Sequence, residues 1–188
     1  MSKKISIILL LLCLGLFSQA QSYQKISQGV KTTVQGMDVE VAFYSPSIVR
    51  VYKTPEGSSY DKKSLVVMKE PEETFVEFAM NKEYIRLKSD VLQVEVNSST
   101  GGINFYDATG RVLLKDKDYG TQFTPFDDAG TFSYNVRQAF LLDKDEVIYG
   151  LGQQQTGKVN QRNQKLFLRN KNMSICIPFI HSFIVYGL

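Results

Sequence analysis

The sequence predicts an all-β chain, an antiparallel β-sandwich behind a cleaved signal peptide. Beyond residue 20 apolar side chains recur with a period of two, and no stretch keeps a helical period. Turn-forming residues interrupt that alternation at intervals of roughly 8–12 residues, the spacing of sandwiches and barrels. The aromatic content, 12 Phe and 10 Tyr with no Trp, suits pleated, half-buried surfaces and reads as core.

The first twenty residues carry the export pattern. Lys3 and Lys4 supply a positive start, Ile5 to Phe17 form an almost unbroken apolar run, and Ser18-Gln19-Ala20 sets small residues at the cleavage positions. The run falls short of the roughly 20 residues that span a bilayer, so no membrane span is expected after cleavage and the mature chain is expected in the periplasm or outside the cell. Removing Lys3 and Lys4 leaves 20 Lys+Arg against 19 Asp+Glu, a net charge of +1. That balance gives no argument for nucleic acid or an anionic membrane as partner. Cys13 leaves with the signal, and Cys176 in Ile175-Cys176-Ile177 then reads as a small buried hydrophobe without a disulfide partner.

The strands follow in order. Val39, Val41 and Phe43 share one face, and Ile48 to Lys53 resumes after a Ser45-Pro46-Ser47 turn. Leu92, Val94 and Val96 alternate with Gln93 and Glu95, and Asn97 to Gly102 supplies residues that tolerate positive φ. Ile103 to Tyr106 and Arg111 to Leu114 flank a second turn, Asp107-Ala108-Thr109-Gly110. Lys115 to Thr131 is polar and reads as an excursion between strands. Gly150 to Lys165 holds five Gln, two Asn and three basic residues after a strand-like Val147-Ile148-Tyr149. It reads as an ordered surface loop of the kind that carries function. Ile175 to Phe179 and Phe183 to Tyr186 read as strands, and an end at Leu188 in strand material reads as incomplete.

Catalytic motifs find little support. Gly152 to Val159 (GQQQTGKV) has the glycine and lysine spacing of a phosphate-binding loop, but Val159 replaces the magnesium-binding hydroxyl and no amphipathic helix follows. His181 is the only histidine, so a histidine metal cluster is excluded. Ser182 beside His181 faces the other side of a strand and makes no nucleophile pair. The acidic pairs Asp127-Asp128 and Glu72-Glu73 lie in polar, solvated segments. No catalytic residue, metal ligand or cofactor is implied.

One ordered set of motifs goes further. Val147-Ile148-Tyr149-Gly150-Leu151-Gly152-Gln153 precedes the polar loop, then Leu166-Phe167-Leu168-Arg169-Asn170-Lys171-Asn172, Ile175-Cys176-Ile177-Pro178-Phe179 and Tyr186-Gly187-Leu188. This order resembles the end of the N-terminal β-sandwich of family-31 glycoside hydrolases, the α-glucosidase and α-xylosidase family. There the pattern is YGLGE or YGLGQ, a loop, an aromatic-Asn-x-Asp segment, an IPF strand and a GYGLF-type strand leading into the catalytic barrel. Thr100 to Asp107 and Gly110 to Leu113 are similar to the TG-x-I-x-F-x-D…G-x-x-L hairpin of that domain. Asn172 departs from the family's frequent Asp, and Phe183-Ile184-Val185 departs from its small, glycine-containing lead-in.

The resemblance implies a galactose-mutarotase-like supersandwich over residues 21–188, incomplete at its C-terminal end, with the (β/α)8 barrel absent. The implied role is a non-catalytic domain of an exported α-glycosidase, supporting the barrel and the active-site entrance. The parent would take α-linked glucose or xylose from oligosaccharides through that barrel. Asn170 and Asn172 are the implied sugar-hydroxyl partners, and turn capping is the alternative role for both. A stand-alone exported carbohydrate-binding sandwich is the other functional reading.

Overall fold

Val39, Val41 and Phe43 project from one side of a long strand, and burying that side sets the architecture. The computed structural model describes residues 23–58, 64–184 and 186–188. The expected signal, residues 1–20, lies outside the described residues. Within them the elements are all strands. β1 (Tyr23–Ile26), β2 (Gly29–Val34), β3 (Met37–Ser45) and β4 (Ile48–Pro55) form an antiparallel four-stranded meander. β5 (Glu77–Met80), β6 (Tyr84–Lys88), β7 (Leu92–Asn97), β8 (Ile103–Asp107) and β9 (Val112–Asp116) form a second meander, extended beyond β9 by β12 (Phe140–Leu141). Between β9 and β12 the chain makes a separate hairpin, β10 (Gln122–Asp128) and β11 (Thr131–Arg137). β13 (Ile148–Gly150), β14 (Ile180–Ser182) and β15 (Tyr186–Gly187) form a small corner sheet.

The core joins the inner faces of the two meanders. Val30, Val39, Val41 and Phe43 meet Ile85, Leu87, Val94, Val96 and Ile103, each at most 2% exposed. Burying each such side chain is worth roughly 1.5–3 kcal/mol, so this alternation dominates the packing. The sandwich is also closed by specific ties. At one edge the Tyr23 ring stacks on Phe78 with centroids 5.5 Å apart, and Lys25 Nζ lies 3.8 Å from the same centroid. At the other, Lys53 Nζ donates to Asp116 Oδ2 at 2.6 Å and Thr121 Oγ1 at 2.9 Å. Asp116 Oδ2 also accepts the Ile103 amide at 3.1 Å, so the buried charges are paired and hydrogen-bonded across the sheets.

Turn chemistry fixes the register. Gln35 and Gly36 both have positive φ (53° and 70°), the requirement of a two-residue hairpin whose twist matches its strands. Asn97 Oδ1 accepts the Ser99 and Thr100 amides, as the turn expected at Asn97 to Gly102 requires. Asp107 Oδ1 accepts the Thr109 hydroxyl and the Thr109 and Arg111 amides, and Oδ2 accepts Arg111 Nε. The Thr109 hydroxyl foremost, and then Arg111, hold the Asp107 carboxyl at about 2, below its ordinary 3.8.

Three expectations change. The polar excursion at Lys115 to Thr131 contains β10, where Pro125 and the Asp127-Asp128 pair dilute the alternation. Ile175 to Phe179 is no strand: a single bridge links Ile175 to Gln153, and Pro178 has no amide to extend a ladder. Of Phe183 to Tyr186, the first two residues are the turn after β14. The aromatic residues divide, Phe43 being fully buried while Phe75, Phe126, Phe132, Phe167, Phe179 and Phe183 are 45–83% exposed.

Replacing Lys53 by Met strands the Asp116 carboxylate and is expected to cost about 3–5 kcal/mol in urea unfolding, with partial recovery on adding Asp116→Leu. Asp107 contributes stability above pH 3.8 that disappears as pH falls through about 2. A carboxyl-carbon NMR titration should therefore give Asp107 a midpoint near 2, and a midpoint near its ordinary 3.8 would contradict the turn network.

Candidate functional site: a loop held on the corner sheet

The polar loop starts from a left-handed backbone in which two glycines leave room for a close approach. Gly150, Leu151 and Gly152 all have positive φ (108°, 64° and 83°). A Cβ on Gly150 would stand 2.4 Å from Phe179 O, and one on Gly152 would stand 2.1 Å from Ile175 O. The close approach lets the two ends of the loop zip together. Leu151 N donates to Phe179 O at 2.7 Å, and Ile175 N donates to Gln153 O at 3.1 Å. Gln154 Nε2 adds a bond to Ile175 O at 3.2 Å.

Beneath the loop lies a carboxylate that sequence reasoning passed over. Glu146 is 3% exposed. Its Oε1 accepts the Ser182 hydroxyl at 2.6 Å and the Tyr186 hydroxyl at 2.7 Å, and its Oε2 accepts the Asp143 amide at 2.9 Å. Among the described residues no cation pairs with it. Arg162 instead donates Nη1 to the main-chain oxygens of Asp143 and Glu146, at 2.7 and 2.8 Å. Gln161 N donates to Ile148 O at 2.7 Å, and Asn160 Oδ1 accepts Ile148 N at 3.4 Å. The loop is thus pinned to β13 while Glu146 pins β14 and β15. Burial first, and then the bond to Glu146, pushes the Tyr186 phenol above its ordinary 10.0. Parity could have found Glu146: it lies two residues before Ile148, itself 7% exposed, and so shares its inward face. The same parity, applied to His181 and Ser182, separates them correctly, with His181 exposed and Ser182 fully buried.

The predicted site residues sit near the far end of the loop. Asn170 is exposed, and its Oδ1 accepts the Cys176 amide at 2.7 Å, which is the capping role. Asn172 is exposed within the turn Lys171 to Ser174, whose ends exchange backbone bonds at 3.2 and 3.1 Å. The same stretch and the turn after β14 carry apolar side chains that stay largely exposed, although Arg169 lies over the Phe167 ring at 5.8 Å and the Phe179 ring packs against Gly187. Phe167 is 83% exposed, and Ile175, Ile177, Phe179 and Phe183 are 49–53% exposed. Cys176 is a free, partly buried thiol. The phosphate-loop-like segment leads into turns rather than a helix, and Lys158 Nζ bonds to Gln164 Oε1 at 3.1 Å.

A two-sheet antiparallel sandwich with a loop-bearing corner is a galactose-mutarotase-like architecture, and the sequence comparison agrees. The chain belongs to the glycosyl hydrolase 31 N-terminal galactose mutarotase-like domain family, which it matches over residues 38–188. It is 30% identical over 165 residues to an α-xylosidase of Saccharolobus solfataricus, covering 82% of this chain and 22% of that protein. It is 26% identical over 135 residues to α-glucosidase 2 of Bacillus thermoamyloliquefaciens, covering 72% of this chain and 16% of that one. The fold superposes on the GH31 α-xylosidase of Xanthomonas citri with a TM-score of 0.82 and 26% identity, across 87% of this chain and 18% of the other. A GH31 dextranase of Flavobacterium johnsoniae shares the fold at a TM-score of 0.65 and 19% identity, across 88% of this chain and 21% of the dextranase. The chain therefore spans about a fifth of the length of these enzymes.

Replacing Glu146 by Ala removes the acceptor of one buried and two part-buried donors and is expected to cost about 3 kcal/mol in chemical unfolding, against about 1 kcal/mol for Tyr186→Phe. Tyr186 adds a pH signature. Its contribution is complete below pH 10.0 and fades above it, where the unfolded chain releases the phenolic proton first. The Tyr186→Phe protein should therefore lose stability less steeply at alkaline pH. Capping gives a further contrast: Asn170→Ala should destabilise by about 1 kcal/mol, while Asn172→Ala leaves the unfolding midpoint unchanged.

Proposed function

We propose that this domain is the non-catalytic N-terminal sandwich of an exported α-glycosidase, with its corner loop against the catalytic domain at the active-site entrance. The observation that carries the reading is the composition of that corner. Exposed amides stand beside Phe167, Ile175, Ile177, Phe179 and Phe183, on a backbone held rigid by Glu146 and Arg162. Apolar side chains exposed by about half or more over one stretch of chain mark a surface meant to be covered. Asn172, and the amide nitrogen of Asn170, supply hydrogen bonds suited to sugar hydroxyls at the rim of the covered face.

The substrate is a terminal α-linked glucose or xylose unit of an oligosaccharide. The α-xylosidase and α-glucosidase relatives support that choice. Retaining hydrolysis needs two carboxyl groups about 5–5.5 Å apart, which this reading assigns to the catalytic domain. Export rests on Lys3, Lys4, the Ile5 to Phe17 run and the Ser18-Gln19-Ala20 cleavage site.

The test is an activity assay in two arms. The chain alone should leave aryl α-glucosides and α-xylosides intact, and turnover by it overturns the proposal. Fused ahead of the catalytic domain of the Saccharolobus relative, in place of that enzyme's own first domain, it should restore turnover. Asn172→Ala in the fusion should raise KM about two- to tenfold, the loss of one hydrogen bond to substrate, with the fold intact.

A further inference from the structure

The β10–β11 hairpin pairs with no other strand among the described residues. Its seven facing pairs run from Gln122–Arg137 at the base to Asp128–Thr131 at the tip, closed by Ala129 and Gly130 at positive φ. Phe123 packs on the main core and anchors the base. Cross-strand pairing puts Phe123, Pro125 and Asp127 of β10 on one face with Phe132, Tyr134 and Val136 of β11, and on the β11 side Phe132 is 70% and Val136 66% exposed. A hairpin this long whose second strand leaves an apolar row half-exposed is marginal by itself in water.

We infer that β11 is a self-association edge, pairing antiparallel with β11 of a second copy of this chain about a two-fold axis through Tyr134. The register decides the partner. Centred on Tyr134, a β11–β11 ladder sets Phe132 against the partner's Val136, Ser133 against the partner's Asn135 and Thr131 against the partner's Arg137. No like charges meet, and the apolar row continues unbroken from one copy into the next. The strand holds no proline, so every backbone group along it can bond.

The other free edges are blunted. β10 carries Pro125 at its centre and Asp127 and Asp128 at its end. β4 is long, but it carries Arg50 and Lys53 and ends at Pro55. β1 and β5 have four residues each, and β12, β13 and β15 have three or fewer. A saccharide is the poorer occupant. The Phe132 and Tyr134 rings meet at 81° and the Phe123 and Tyr134 rings at 83°, so they share no flat platform for a sugar ring.

Sedimentation velocity of the full chain over a concentration series tests the pairing. Wild type should show a reversible dimer, and Val136→Asp should weaken it about tenfold or more by setting a carboxylate against the partner's Phe132. Adding Phe132→Lys to Val136→Asp should restore the dimer, because the new opposite charges face each other across the axis. Within one copy these positions lie four residues apart on one strand, and Phe132→Lys alone, whose lysine also faces Asp127 of its own β10, is the control for any effect within one copy. Both sites are solvent-exposed, and an unchanged unfolding curve confirms that each variant folds. A monomer at every concentration overturns the inference, including one whose hairpin is protected only when a catalytic domain is supplied. So does a dimer indifferent to Val136→Asp, or a double variant no tighter than the single one.

Discussion

A carboxylate withdrawn from water must be surrounded by donors, and Glu146 meets that demand without a cation. The donors it takes come from three places: the Ser182 hydroxyl in β14, the Tyr186 hydroxyl in β15 and the amide of Asp143. Each is useful only where it stands, so satisfying one buried charge ties β14 and β15 to the Asp143–Glu146 segment, about forty residues away in sequence. β14 and β15 are too short to hold position by backbone pairing alone. The corner exists because Glu146 is buried there.

That corner then sets what the loop can be. Gly150 and Gly152 bring the outgoing chain within contact of Phe179 and Ile175, and Arg162 binds the loop's middle to the Asp143–Glu146 segment. What remains for solvent is a fixed arrangement of amides and apolar side chains. Rigidity matters because a surface that positions a sugar or docks a domain loses affinity for every rotamer it must freeze. The main sandwich contributes stiffness of its own, with Lys53–Asp116 at one edge and Tyr23–Phe78 at the other holding the sheets in fixed register. Membership in the glycosyl hydrolase 31 N-terminal domain family gives this arrangement its context.

Much of this was legible in the residues. Period-two runs such as Val39-Val41-Phe43 and Leu92-Val94-Val96 have few alternatives to a strand buried on one face. Asn97 to Gly102 and Asp107 to Gly110 carry their own turn chemistry. The corner motif was legible as resemblance, because Tyr149-Gly150-Leu151-Gly152 and Ile175 to Phe179 keep a recognisable order. Other features depended on contacts that no local pattern encodes. Glu146 looks like one more acid in an Asp143–Glu146 stretch until Ser182 and Tyr186 fold onto it from about forty residues away. Ile175 to Phe179 has strand composition, but Pro178 and the glycine corner hold it in single bonds. The β10 hairpin was obscured because Pro125 and two aspartates interrupt its alternation.

In the proposed function, the face built over Glu146 is the face a catalytic domain covers. Amide hydrogen exchange measures this directly, on the domain alone and joined to a catalytic domain of the family. Amides from Gln164 to Phe179 are expected to slow on joining while the core strands β3 and β7 stay as they were. Unchanged exchange across that segment, with new protection confined to another surface of the sandwich, would contradict it.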